Sequence, residues 1–275
     1  MSTTTDQATG TMIEVEGQPT YFHEAGEGPP LLLVHGSGPG VSAWANWRLV
    51  MPKLAERFRV IAYDQIGFNK TMPVGEVEYG RRTWTRHGLA LMETLGIESF
   101  DVIGNSMGGA VALSMVVERP EAIRRIAVMG TMGVPGPIPP GLDQVWGYTP
   151  SEENMRRTIQ LLSNDPAVAT PELVRLRHEA SVAPGIDEAW QAMFPAPRQR
   201  WMDDLALSPD ELGSIEQKVL LVHGYEDQVI PFQGSLTLMD LIPDVRLHVF
   251  GKTGHWVQIE RTDEFTRLMV DFFTS

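Results

Sequence analysis

Asp101-Val102-Ile103-Gly104-Asn105-Ser106-Met107-Gly108-Gly109-Ala110-Val111-Ala112-Leu113 runs a short apolar segment into a glycine-flanked serine and on into an Ala/Val/Leu-rich stretch. The first part reads as a buried strand and the last as a helix, so the G-x-S-x-G falls on a strand-to-helix turn. That context carries more weight than the string, because a serine on so sharp a turn takes strained dihedrals and lifts its hydroxyl above the sheet. Gly104 and Gly108 keep the crossing backbones from clashing, and the helix N-terminus behind the serine supplies positive potential. The competing reading is a bystander serine in a glycine-rich turn.

Outward from this turn, apolar runs recur at Leu31 to Val34, Val60 to Tyr63, Ile126 to Met129, Val219 to Val222 and Leu247 to Phe250. Uninterrupted runs of this kind suit strands buried on both faces. Helical patterns lie between most of them: Trp47 to Glu56, Thr83 to Leu95, Met107 to Arg119, Gly234 to Leu241 and Asp263 to Phe273. The alternation predicts an α/β fold with a mainly parallel sheet flanked by helices. Ile13 to Glu24 reads as strand material forming an N-terminal hairpin before the turn-rich Ala25 to Pro30. Strand signals vanish between about Pro135 and Gly213, where helical periodicity and prolines take over. This predicts a first core segment over residues 1–134, a helical lid over 135–213 and a second core segment over 214–275. In the lid, Ser151 is expected to cap a helix that turns Met155, Ile159 and Leu162 inward. Thr170-Pro171-Glu172 is expected to start another with Leu173, Leu176 and Ala180 on one face.

A serine hydroxyl is a weak nucleophile until a base takes its proton and a third group holds that base. His255, in Lys252-Thr253-Gly254-His255-Trp256, follows the run Leu247 to Phe250, where a glycine lets the imidazole swing over the sheet edge. His248 lies within the run and His35 sits in a turn; His23, His87, His178 and His223 lack a loop at a late strand end. For the acid, Tyr225-Glu226-Asp227-Gln228-Val229-Ile230-Pro231 follows the run Val219 to Val222. Asp227 is the better candidate, with Glu226 the near rival and Asp64 the remoter one. The order Ser106, Asp227, His255 is that of the α/β hydrolases. His35-Gly36-Ser37-Gly38-Pro39-Gly40 follows the run Leu31 to Val34 and suits an oxyanion hole formed by the backbone N–H groups of Ser37 and Met107. As a dinucleotide fingerprint it fails, since Val41 occupies the final glycine position.

Bulk composition narrows the chemistry. With 43% hydrophobic and 21% charged residues in 275, the chain can fill a sizeable core. Acidic residues outnumber basic ones 35 to 22, a formal charge of -13 that repels phosphate backbones and anionic membranes. No nucleic-acid or membrane partner is expected, and an anionic substrate would need a local cation. There is no cysteine, so thiol chemistry is out. No motif calls for a metal or other cofactor, and Met1 to Gly10 lacks a secretion signal, so a cytoplasmic protein is expected.

With these residues in place, the chain resembles the meta-cleavage product hydrolases, which cleave a carbon–carbon bond in ring-fission products of aromatic degradation. The matching stretches are His35 to Gly40 with Trp44 and Asn46, Gly67 to Lys70, Gly104 to Gly109, Val145 to Pro150, Arg175 to Ala180, Pro197 to Trp201, Glu226 to Pro231 and Leu247 to Trp256. The lid matches are the specific ones, nearest the alkylbenzene (cumene and toluene) branch. The resemblance implies a small anionic substrate, a 2-hydroxy-6-oxohexa-2,4-dienoate, cleaved after ketonisation by serine attack. It implies that Arg177 holds the carboxylate, that Asn105, Asn46, Gly38 and Trp256 line the dienoate end, and that the protein is a homodimer or larger homo-oligomer. Met132, Trp146, Met193, Val229 and Ile230 are candidates for an apolar pocket around the 6-substituent. Ser37 departs from the glycine-rich turn of the biphenyl branch, and its side chain is expected to narrow the pocket. A carboxylesterase or lactonase, and a non-catalytic receptor on the same fold, are the alternatives.

Overall fold

The computed structural model describes residues 9–275. Its frame is an eight-stranded sheet: β1 (Thr11–Val15), β2 (Gln18–Ala25), β3 (Pro30–Val34), β4 (Arg59–Tyr63), β5 (Phe100–Asn105), β6 (Ile123–Met129), β7 (Lys218–Gly224) and β8 (Val245–Phe250). The spatial order is β1-β2-β4-β3-β5-β6-β7-β8. β1 and β2 pair antiparallel through a two-residue turn, Glu16-Gly17, with φ of 49° and 78°. Positive φ at both positions matches the right-handed twist of the flanking strands. β2 meets β4 antiparallel, and from β4 onward neighbouring strands are parallel. Because β4 and β5 lie on opposite sides of β3, the strand order reverses there. A crevice opens outside the carboxyl ends of β3 and β5.

Helices cover both faces: α1 (Ala43–Trp47), α2 (Met51–Leu54), α3 (Arg81–Thr94) and α4 (Met107–Glu118) in the first half of the chain. The insertion between β6 and β7 holds α5 (Pro140–Trp146), α6 (Glu152–Leu162), α7 (Pro171–Ser181), α8 (Ile186–Met193), α9 (Gln199–Leu205) and α10 (Pro209–Gly213). The chain closes with α11 (Gln233–Leu241), α12 (Val257–Glu260) and α13 (Thr262–Thr274). One apolar cluster lies between the sheet, α3, α4 and the insertion; a second lies under α1, α2 and α13.

Three expectations need correction. The helix expected from Trp47 to Glu56 is two short ones, α1 and α2. Pro52 falls in the first turn of α2, where a missing N–H is tolerated, but in a continuous helix its ring would clash with the carbonyl of Arg48. Leu247 to Phe250 belongs to a strand that is not buried on both faces: as the last strand β8 has only β7 beside it, and Arg246, His248 and Val249 are exposed. On α7, Thr170 does cap the N-terminus, yet Leu176 is 48% exposed and Ala180 also faces outward. Val174 and Ser181 face in instead, because the face that carries Arg177 is the one packed on the crevice. Helix α6 matches its expected register, capped by Ser151, with Met155, Ile159 and Leu162 buried.

Candidate active site

Ser106 follows β5 directly and caps α4 at φ 55° and ψ -118°, a region that costs a non-glycine residue on the order of 1–3 kcal/mol. Packing enforces it. A Cβ on Gly104 would lie 2.4 Å from the Gly108 carbonyl oxygen, and one on Gly108 would lie 2.4 Å from the carbonyls of Val34 and His35. The Ser106 N–H donates to Met129 O at 2.9 Å, and its carbonyl accepts from Met132 N at 3.2 Å. The elbow is thereby fastened to the end of β6.

The loop after β7 carries the candidate acid. Asp227 Oδ1 accepts from the N–H groups of Val229 (2.8 Å) and Ile230 (2.9 Å), while Oδ2 accepts from His255 Nδ1 at 2.7 Å. Burial pushes this carboxyl up, but the His255 charge and the donors of His223 and His255 more than offset it, leaving it well below the usual carboxylate range. Gly130, at φ 49°, is the close neighbour: a Cβ there would sit 2.9 Å from His255 Nδ1 and 3.1 Å from Asp227 Oδ2. The rival Glu226 does other work. Its Oε2 accepts from Thr253 N at 3.0 Å, and its own N–H donates to Thr253 O at 3.0 Å, bracing the loop that ends in His255. Asp64 accepts from Ala43 N (2.7 Å) and Asn69 Nδ2 (2.6 Å), tying the turn after β4 to α1.

No hydrogen bond joins Ser106 Oγ to His255 among the described residues. The two are brought to one sheet end by the Met129-Gly130 segment, whose first residue binds the elbow and whose second abuts the imidazole. Loose contacts of this kind are common before substrate binds.

The turn after β3 is rigid. His35 is fully buried, its Nδ1 donating to Gly36 O at 2.7 Å and its Nε2 accepting from Gln65 N at 3.0 Å. Burial pushes its imidazole down to about 4, so it is a neutral brace. Ser37 N–H makes no hydrogen bond among the described residues, and Met107, as first residue of α4, has no intrahelical acceptor for its own. Both amides are free for an oxyanion. Ser37 Oγ accepts from Trp146 Nε1 at 2.8 Å, and Trp146 stacks on Phe194 with centroids 4.7 Å apart.

A narrow cavity of about 40 Å³ opens beside His255, lined by Ser37, Gly38, Asn46, Asn105, Arg177 and Trp256 among others. All of these except Ser37 are the residues assigned from sequence to the dienoate end, and Ser37 is the one assigned to the oxyanion hole. Gly38 leaves Arg177 Nη2 3.7 Å from where a Cβ would stand, and Gly40, at φ +63°, allows α7 to approach: a Cβ there would be 2.7 Å from Ser181 N. Arg177 Nη2 donates to Pro39 O at 3.1 Å, and its guanidinium lies 5.9 Å from the Trp256 ring centroid. Burial, and then the charge of Arg48, push it down to about 10. Arg177 Nε and Asn46 Nδ2 are buried without a partner. Met132, Trp146, Met193, Val229 and Ile230 are all buried in the main apolar cluster, and none lines this cavity.

Sequence reasoning missed three residues. Arg48 lines the same cavity but reads in sequence as an ordinary helix-end arginine. His223 Nε2 donates to Ile230 O at 3.0 Å and lies 3.5 Å from Asp227 Oδ2, while its Nδ1 accepts from Ser235. Glu260 Oε1 accepts from Gly254 N at 2.8 Å and Oε2 from Asn164 N at 3.0 Å, joining the His255 loop to the end of α6. The i, i+4 spacing of His223 and Asp227 was a usable signal; nothing local marks the other two.

Among the described residues no group of three or more His, Asp or Glu side chains is placed to hold a metal ion, and no helix is long and apolar enough to cross a membrane.

Residues 29–262 match the family model described as alpha/beta hydrolase fold. Among curated proteins, the 2-hydroxymuconate semialdehyde hydrolase of Pseudomonas sp. (strain CF600) is 48% identical, over 96% of this chain and 93% of that protein. The 2-hydroxy-6-oxo-2,4-heptadienoate hydrolase of Pseudomonas putida strain F1 is 46% identical over 97% and 96%. Among solved structures, a mutant meta-cleavage product hydrolase (CumD) from Pseudomonas fluorescens IP01, complexed with acetates, superposes with a TM-score of 0.95 at 46% identity, covering 96% of this chain and 97% of that one.

Proposed function

Since the chain belongs to the meta-cleavage product hydrolases of the α/β-hydrolase fold, we propose that it hydrolyses 2-hydroxy-6-oxo-6-alkylhexa-2,4-dienoates to 2-hydroxypenta-2,4-dienoate and a carboxylic acid. The observation that carries this reading is a cavity beside His255 whose unpartnered groups, Arg177 Nε and Asn46 Nδ2, are all donors. A buried donor without an acceptor costs about 1–3 kcal/mol, more when charged. A ligand that ends in a carboxylate removes that cost.

In the proposed sequence the dienol first becomes the 2-oxo form, moving its proton from O2 to C5. Ser106 Oγ then attacks the C6 carbonyl while His255 takes the hydroxyl proton and Asp227 holds the imidazole through Nδ1. The N–H groups of Ser37 and Met107 receive the C6 oxyanion. The C5–C6 bond breaks with its electron pair passing to C5 and on to O2. Water, activated by His255, releases the acyl group. Arg177, Asn46, Asn105, Gly38 and Trp256 hold the dienoate end. The alkyl group is assigned to the apolar side formed by Met132, Trp146, Met193, Val229 and Ile230, which are packed together in the core and must shift to admit it.

The insertion over residues 135–213, between the core segments 1–134 and 214–275, is proposed to act as a lid. Its α7 brings Arg177 to the cavity wall, and substrate entry is proposed to involve movement of this helix. The protein is further proposed to be cytoplasmic and to form a homodimer or larger assembly. The exposed edge of β8, which carries Val249, and the neighbouring α11, which exposes Leu236 and Met239, offer apolar surface that supports association.

The test is a panel of yellow dienoates that differ in the 6-substituent, followed by loss of absorbance, with Ser106→Ala as control. Turnover of the 6-methyl compound, lost by several orders of magnitude in Ser106→Ala, is expected. A protein that ignores every dienoate while hydrolysing p-nitrophenyl esters is instead a carboxylesterase.

A further inference from the structure

We propose that Arg48 is a second substrate-binding cation, placed to hold the oxyanion that develops at O2 when the carbon–carbon bond breaks. The inference rests on the dienoate reading above.

Arg48 and Arg177 line one cavity, although like charges at close range repel. The side-chain hydrogen bonds of both go to backbone carbonyls, Arg48 Nη1 to Ala45 O at 2.8 Å and Arg177 Nη2 to Pro39 O at 3.1 Å. Among the described residues neither forms an ion pair, in a chain where acidic residues outnumber basic ones 35 to 22. Burial also disfavours the charge on Arg48, as it does that on Arg177. Two desolvated guanidinium groups facing one space without a carboxylate suit a ligand that brings two negative charges.

A bland role is available: Arg48 follows the last residue of α1 and caps its final turn through Ala45 O. That occupies one of five guanidinium N–H groups. A neutral amide serves such a cap equally well, so capping does not account for a charge at the cavity wall beside Arg177.

The chemistry supplies the second charge. Bound substrate carries one charge at this end, its carboxylate, which Arg177 matches. When the C5–C6 bond breaks, its electron pair delocalises over C5, C4, C3 and C2 onto O2, giving the 2-oxidopenta-2,4-dienoate dianion. The proton that His255 took from Ser106 then returns to this fragment, so atoms and charge balance. The end of the substrate beside both arginines therefore passes from one negative charge to two in the cleavage step. A fixed cation aimed at developing charge accelerates that step without tightening ground-state binding to the same degree. Arg48 thus separates carbon–carbon cleavage from simple ester hydrolysis, where no charge appears at that end.

The experiment compares wild type, Arg48→Gln and Arg48→Lys on 2-hydroxy-6-oxohepta-2,4-dienoate and on p-nitrophenyl acetate, with a thermal melt of each. Removing one such group is expected to lower dienoate kcat by about 10²–10³-fold with KM moving less than about threefold. The dienoate-to-ester ratio falls accordingly, and Lys recovers part of the loss. In a Ser106→Ala background, where the dienoate binds uncleaved, the pH at which the bound chromophore passes from enol to enolate rises by about one unit or more on Arg48→Gln. Should Gln not fold, the same titration with Lys against wild type gives a smaller rise in the same direction. Wild-type turnover with Arg48→Gln unimpaired overturns the proposal alone. So do equal losses on both substrates with an unmoved chromophore titration, which mean a helix cap and nothing more. If wild type leaves the dienoate intact, the dienoate reading fails first and this proposal with it.

Discussion

Replacing Arg177 by Met removes a charge and keeps a side chain of useful length, and it should make the protein both less active and more stable. Holding this guanidinium at about 10 instead of 12.5 corresponds to about 3 kcal/mol spent against burial and Arg48. Against that stand the hydrogen bond to Pro39 O, about 1 kcal/mol, and the contact with the Trp256 ring, about another 1 kcal/mol. The unpartnered Nε adds to the unfavourable side. The balance is a gain of about 1 kcal/mol on substitution, a rise in Tm of about 2–4 °C for a chain of this size. On the dienoate, loss of two charge-assisted hydrogen bonds of about 1.5–3 kcal/mol each lowers kcat/KM by about 10²–10⁴-fold, while p-nitrophenyl acetate turnover falls far less. Differential scanning fluorimetry beside steady-state assays on both substrates reads the two effects in one preparation. A lowered Tm with equal losses on both substrates refutes the reasoning and makes Arg177 a folding residue.

Acid should destabilise the fold before any carboxylate of the site titrates. His35 and His87, both held at about 4 by burial, are neutral when folded and bind protons when unfolded below their ordinary 6.5, so each removes about 2 kcal/mol between pH 8 and pH 5. Asp64 works the other way: raised to about 6, its folded form takes up the proton first and returns about 1 kcal/mol over the same interval. Urea midpoints should thus fall on acidification by a net of about 2–3 kcal/mol, and a flat profile from pH 8 to 5 contradicts it. Gly130→Ala puts a Cβ 2.9 Å from His255 Nδ1 at a positive φ, so kcat should drop by about 10²-fold or more with the fold retained by circular dichroism; an unimpaired enzyme would show that the pair tolerates displacement. Ser106→Gly relieves the strained φ of 55° that Ser106→Ala keeps, so the glycine variant should melt higher than the alanine variant, and equal melts would deny the strain.

The features legible in sequence were those written in consecutive residues. The strand, elbow and α4 follow from one apolar run, two glycines and one serine, and Asp227 and His255 follow from their places just beyond late strands. Pro52 was a readable break that the periodicity around it masked. The outward face of α7 was not readable: Leu176 and Ala180 share a plausible apolar stripe with Leu173, and only the docking of Arg177 against Pro39 decides which side turns in. Edge exposure of β8 depends on strand order, which no local pattern encodes. Arg48 and Glu260 gain their meaning from partners more than a hundred residues away in one case and almost that in the other, so composition and spacing are silent on them.

Glu260 has a practical consequence for anyone who would re-engineer substrate range by exchanging the helical insertion. Its carboxylate serves two masters, with one oxygen on the peptide just before His255 and the other on the peptide after the turn from α6. A transplanted segment that offers no amide at that spot would leave that oxygen to water and slacken the His255 loop from behind. Grafts should therefore be cut outside residues 163–165, or carry their own donor to meet it.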